Sequence, residues 1–228
     1  MNMMTEEWKG MKICRLIKPF FPLKFWHRWR KKSSMDQASC RNAWLEAGDH
    51  EKAAKLDQAF PDCVCEIHSL QAIGGDGIKS DELVARVFTD PASYIRSTEM
   101  IVGGSVTSVY SGGLSIIRQG ASDEEILATI NVLLAQHEAQ NLVGAAVTVA
   151  DNFRVLGSPD KWFGVYATDD DNKQHHADLL GTIPSGTTNG INKLKSHRRA
   201  ELRKVLTQHL VFESDPVILL QRLREIGI

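Results

Sequence analysis

No run of this sequence is both long and apolar enough to cross a bilayer. The longest charge-free stretch, residues 100–117, reads MIVGGSVTSVYSGGLSII, and its Gly, Ser and Thr content keeps it too polar for a membrane span. A secretory signal is missing as well, because basic residues interrupt every apolar run before Met35. Cysteine is scarce: Cys14, Cys40, Cys63 and Cys65. Without a signal these are expected to be free thiols rather than a disulfide framework. Cys63-Val-Cys65 with His68 resembles part of a zinc site, but the second ligand cluster that structural zinc requires is missing. The segment is read instead as a strand alternating small buried side chains. Together these absences predict a cytoplasmic protein, with membrane-peripheral attachment as the open alternative.

The familiar catalytic signatures are also missing. There is no GxxxxGK[ST], HExxH, GxSxG or paired CxxC motif. GGDG at 74–77 is too short to cradle phosphate and reads as a turn. The run starting at Asp169 lacks the central Gly and terminal Glu of a calcium loop. No cofactor or metal is therefore expected.

What is present is ample for one core: 228 residues, 43% hydrophobic and 24% charged, lie within the ordinary globular range. Charge is unevenly placed along the chain. Residues 1–32 carry +7, residues 33–190 carry −12 and residues 191–228 carry +4. An acidic body between basic ends either holds those ends by attraction or offers them to an external polyanion. The N-terminal arm is the most polarised part. Residues 9–32 hold nine basic and no acidic side chains, interleaved with Phe20, Phe21, Phe25, Trp26 and Trp29. Such a composition suits an anionic membrane surface or a nucleic acid.

The pattern predicts an α/β (α+β) chain: one compact mixed-sheet domain with an N-terminal helical hairpin and C-terminal helices. The expected divisions are a basic aromatic arm at 1–34, a helical hairpin at 35–61, an α/β body at 62–182, a linker at 183–190 and C-terminal helices at 191–228. Within the body, strands are expected over 63–73, within 106–117 with a turn at Gly112-Gly113, over 142–149 and over 162–166. Helices are expected after the caps Ser80 and Ser122. The tail should form a basic amphipathic helix over 191–210 and a last helix from Ser214-Asp215-Pro216, with Val217, Leu220 and Leu223 inward.

Five side chains form a candidate catalytic set of the metal-independent RNase or phosphoesterase kind. His68 and His176 could transfer protons, Glu82 and Arg86 could pair or neutralise phosphate, and Ser115 could orient it. The segment 169–178 adds three carboxylates, two imidazoles and Asp178, and reads as a solvated acidic turn whose second His packs on the body. The order His68, then Asp81-Glu82-Leu83 with Arg86, then Gly113-Leu114-Ser115, then His176-Ala177 resembles a diffuse family of short uncharacterised bacterial proteins over about residues 63–182. The resemblance implies no activity.

On negative chemistry and divided charge, the first functional expectation is an accessory or interaction protein of a bacterial multi-component locus, of the mobile-element or defence kind, with a protein partner. The second is the metal-independent RNase or related phosphoester enzyme. The third is a peripheral membrane or nucleic-acid binder acting through residues 9–32.

Overall fold

The structure is a computed structural model that describes residues 36–71, 75–135, 141–169, 174–182 and 196–227. The basic arm, the 183–190 linker and most of the acidic turn lie outside the described residues.

A six-stranded sheet runs through the body in the order β6-β7-β4-β1-β5-β8. Its strands are β1 (Leu83–Asp90), β4 (Leu114–Arg118), β5 (Asn141–Val149), β6 (Phe163–Ala167), β7 (His176–Gly181) and β8 (Leu210–Phe212), and each neighbouring pair is antiparallel. A separate small ribbon joins β2 (Tyr94–Ile95) to β3 (Met100–Ile101). Helices flank the sheet, so the expected mixed α/β fold with helices in both terminal regions is present.

Both faces of the sheet are covered. On one face Val84, Phe88, Ile116 and Leu179 pack with Phe153 of the short helix α4 (Asp151–Arg154) and with Leu202 and Leu206 of α5 (Ser196–Thr207). On the other, Ala85, Val87 and Ile117 pack against α3 (Asp123–Ala135) and α6 (Pro216–Glu225). A third cluster joins the hairpin α1 (Gln37–Glu46) and α2 (Lys52–Ala59) to Tyr166 and Leu180 at the β6–β7 side.

Two-sided burial explains the largest departure from the sequence expectation. The segment after Ser80 is strand β1, not a helix. Leu83, Val84, Val87 and Phe88 have helical spacing, but neighbouring apolar residues here serve opposite faces of a central strand. The reverse error occurs at 63–73. Asp62 and Cys63 have φ of 65° and 57°, the left-handed region that breaks a strand, and Val64–Ile67 is a 3₁₀ turn. Glu66 in this turn is buried. It accepts from Arg154 Nε at 2.9 Å and from the Val165 amide at 2.5 Å. Cys40 and Cys65 form a disulfide, so these two are not free thiols. Their close approach depends on the hairpin folding back on the body, which one sequence does not reveal. Cys63 is free and buried, and burial with Glu66 nearby pushes its thiol pKa up to about 12.

Other expectations need smaller corrections. Residues Gly103–Tyr110 form a 3₁₀ helix, and strand begins only at Leu114, after the Gly112-Gly113 turn. The tail helix ends at Thr207, and Leu210 belongs to β8. In α6 the inward residues are Leu219, Leu220 and Leu223, while Val217 is 72% exposed. The helix after Ser122 forms as expected. Ser122 Oγ accepts from the Glu125 amide while Glu125 Oε2 accepts from the Ser122 amide, at 3.3 and 2.6 Å, a reciprocal cap that satisfies two otherwise free donors.

Candidate active site

Residues directly opposite in an antiparallel pair project to the same face. Ser115 on β4 lies opposite Asp178 on β7, and Ile117 lies opposite His176. Ser115, His176 and Asp178 therefore share the face that carries α3. There, α3 and α6 cover β1 and β5, while the hairpin covers Tyr166 and Leu180. The three polar residues fall between these covers, beside a cleft of about 470 Å³ lined by Ser115, His176, Arg86 and α3.

A directed hydrogen-bond chain links them. Thr168, fully buried just beyond β6, donates from its hydroxyl to Asp178 Oδ2 at 2.8 Å. With that proton committed, the Thr168 oxygen accepts, and its neighbour at 2.9 Å is His176 Nδ1. Nδ1 then carries a hydrogen, and in the neutral form of the ring Nε2 is the acceptor. The hydroxyl of Ser115 meets Nε2 in a short hydrogen bond. Ser115 is exposed. Behind it the His176 and Asp178 side chains are only 17% and 10% exposed. An accessible hydroxyl against an imidazole that is itself oriented by a buried carboxylate is the arrangement that activates a serine nucleophile once the imidazole is neutral. Here the carboxylate acts through Thr168, since Asp178 Oδ2 lies 3.9 Å from Nδ1.

Arg86 completes the group. β1 and β4 pair through only two residues, Val84 with Arg118 and Ala85 with Ile117. The next β1 residue, Arg86, donates from Nη1 to the Ser115 carbonyl at 2.8 Å. Burial pushes its guanidinium down to about 10, and the Asp178 carboxylate opposes that shift. At neutral pH a cation thus stands against the Ser115 backbone carbonyl, near enough to the site to stabilise negative charge developing on the oxygen of an attacked carbonyl.

Backbone and ion pairs fix this arrangement. The Thr168 amide donates to the His176 carbonyl at 3.1 Å. Arg118 clamps Glu82 and Asp169 at 2.8 and 2.9 Å, which ties the residue after Thr168 to β4. Gly113 has φ of 107°, and a Cβ there would stand 2.8 Å from the Asp178 carboxyl. A second imidazole, His175, pairs through Nδ1 with Glu125 at 3.0 Å on the rim.

Of the five candidates from sequence, the structure brings Arg86, Ser115 and His176 together and leaves two elsewhere. Glu82 is committed to Arg118. His68 is bridged to Asp76 near the hairpin. There it adds to the effect of the Ser39 amide in holding the Asp36 carboxyl below its usual value. Thr168 escaped the sequence reading altogether, because its role exists only through β6–β7 pairing. Asp178 was visible, but without a partner. Among the described residues no three His, Cys, Asp or Glu side chains converge as metal ligands.

No protein-family model, curated protein or solved structure matches this chain.

Proposed function

We propose that the cleft is the active site of a serine-dependent ester hydrolase or acyl transferase. The observation that carries the reading is the hydrogen-bonded chain itself: Thr168 donates to Asp178 and meets His176 Nδ1, and His176 Nε2 meets the Ser115 hydroxyl, which on this reading donates to it. Ser115 Oγ attacks the carbonyl carbon of a bound ester while its proton passes to His176 Nε2. On this reading Arg86, held against the Ser115 carbonyl, supplies positive charge near the resulting oxyanion. Collapse breaks the bond to the leaving oxygen, which takes the proton back from His176 and departs as an alcohol. Water, deprotonated by the same imidazole, then releases the acid from Ser115.

The RNase or phosphoesterase reading uses the same three residues on a different substrate. It has weaker support, because the cleft offers one guanidinium to a polyanion and carries Glu125 on its wall. An accessory or interaction role is favoured by a separate observation. Phe212 on edge strand β8 and Val217 and Ile218 on the adjoining α6 are exposed apolar side chains.

The test compares wild type and Ser115→Ala on p-nitrophenyl butyrate and on single-stranded RNA. Butyrate hydrolysis lost in the variant supports the proposal. RNA cleavage lost in the variant, with no ester turnover, supports the phosphoester reading. Inactivity on both sinks the enzyme reading in favour of an accessory role.

A further inference from the structure

The cleft has a wall that the chemistry at Ser115 does not use. α3 packs on the core through Ile126 and Ile130, and its cleft side mixes apolar residues with Glu125 and Thr129. Ala128 and Val132, one helical turn apart, line the cleft with Leu133, and Val132 is 57% exposed. A helix on a protein surface ordinarily shows polar residues on its outward face. Here Ala128 and Val132 form an apolar stripe that begins beside Glu125, which shares the lining with Ser115 and His176, and is flanked by Thr129, whose hydroxyl donates to the Glu125 carbonyl. The volume of about 470 Å³ falls in the range of small-ligand sites, which are mainly apolar with a few convergent polar groups.

Resting on the serine-hydrolase reading, we infer that this stripe is the acyl-chain subsite and that the substrates are esters of uncharged, medium-chain carboxylic acids. Once the ester carbonyl sits between Ser115 and Arg86, the acyl chain has an apolar path along α3 over Ala128 and Val132. Glu125 at the start of that wall disfavours an acid chain carrying a second negative charge. Each methylene laid on the stripe leaves water, which corresponds to about a threefold to fourfold gain in kcat/KM per carbon when burial is complete.

The experiment measures kcat/KM for p-nitrophenyl acetate, butyrate, hexanoate and octanoate with wild type, Ser115→Ala, and two exposed-position variants, Val132→Glu and Ala128→Phe. Rising kcat/KM from acetate to hexanoate is expected. Val132→Glu should cut the hexanoate-to-acetate ratio at least tenfold, and Ala128→Phe should shift the preference toward shorter chains. Thermal melts check that both variants fold. A flat profile that still disappears in Ser115→Ala overturns the acyl subsite while leaving the catalytic serine intact. A wild type without Ser115-dependent ester turnover overturns both. A rising profile that neither folded variant alters places the chain away from α3 and overturns the assignment.

Discussion

Thr168 stands between His176 and Asp178, donating to the carboxylate and accepting from the imidazole. Because an ionised carboxylate only accepts, this one hydroxyl sets the direction of every proton in the chain. Thr168→Val keeps the side-chain shape and removes the relay. Ester kcat/KM is expected to fall by about one to two orders of magnitude, and Thr168→Ser to recover most of it. Stability should drop by about 1–3 kcal/mol from the unsatisfied Asp178 oxygen. A Thr168→Val enzyme as active as wild type would show that Asp178 does not act through Thr168.

Gly113 is required by two constraints at once: a φ of 107° and the nearby Asp178 carboxyl. Gly113→Ala is expected to destabilise the fold by about 1–3 kcal/mol through backbone strain. It should also displace Asp178 and lower activity. Thermal melting and kcat/KM measured on the same preparation check both effects, and a variant indistinguishable from wild type would contradict the placement.

Much of the fold was legible because it is local. Ser122 and Glu125 announce α3 by a capping pattern that needs only four residues. The Asp36–Phe60 hairpin and the strands at 141–149 and 163–167 followed from spacing and composition. β1 was misread because Val84 and Val87 belong to opposite faces of a strand buried on both sides, a pattern that imitates a helix. At the site, the chemistry of Arg86, Ser115 and His176 is legible in the sequence, although Arg86 reads there as the partner of Glu82 on a helix and His176 as the end of an acidic turn. Their grouping depends on the β4–β7 register, in which Ser115 meets Asp178 across 63 positions of sequence. The Cys40–Cys65 bond was hidden for the same reason.

That disulfide ties α1 to the turn under β6 across a sequence separation of 25. Replacing both cysteines by serine is expected to lower stability by about 2–4 kcal/mol. Denaturant unfolding with and without reductant reads the effect. Equal midpoints for oxidised wild type and the double variant would contradict it.

Glu125 gives the cleft a pH dependence. Burial alone would raise its pKa, but the Ser122 amide and His175 outweigh burial and hold it below the ordinary value of 4.5. The folded state therefore releases this proton more readily than the unfolded chain. Its contribution to stability is complete above pH 4.5 and is lost as pH falls through the folded value. The melting-temperature gap between wild type and Glu125→Gln should close as pH falls below 4.5. A gap unchanged down to pH 3 would contradict the assignment.

On the hydrolase proposal, Ser115 is a nucleophile activated by His176. Treating the protein with a fluorophosphonate and mapping the adduct by peptide mass spectrometry tests it most directly. Stoichiometric modification of Ser115 is expected, abolished in Ser115→Ala and slowed by about 10²–10⁴-fold in His176→Ala. An unmodified Ser115 in folded protein, or labelling at an equal rate without His176, would contradict it.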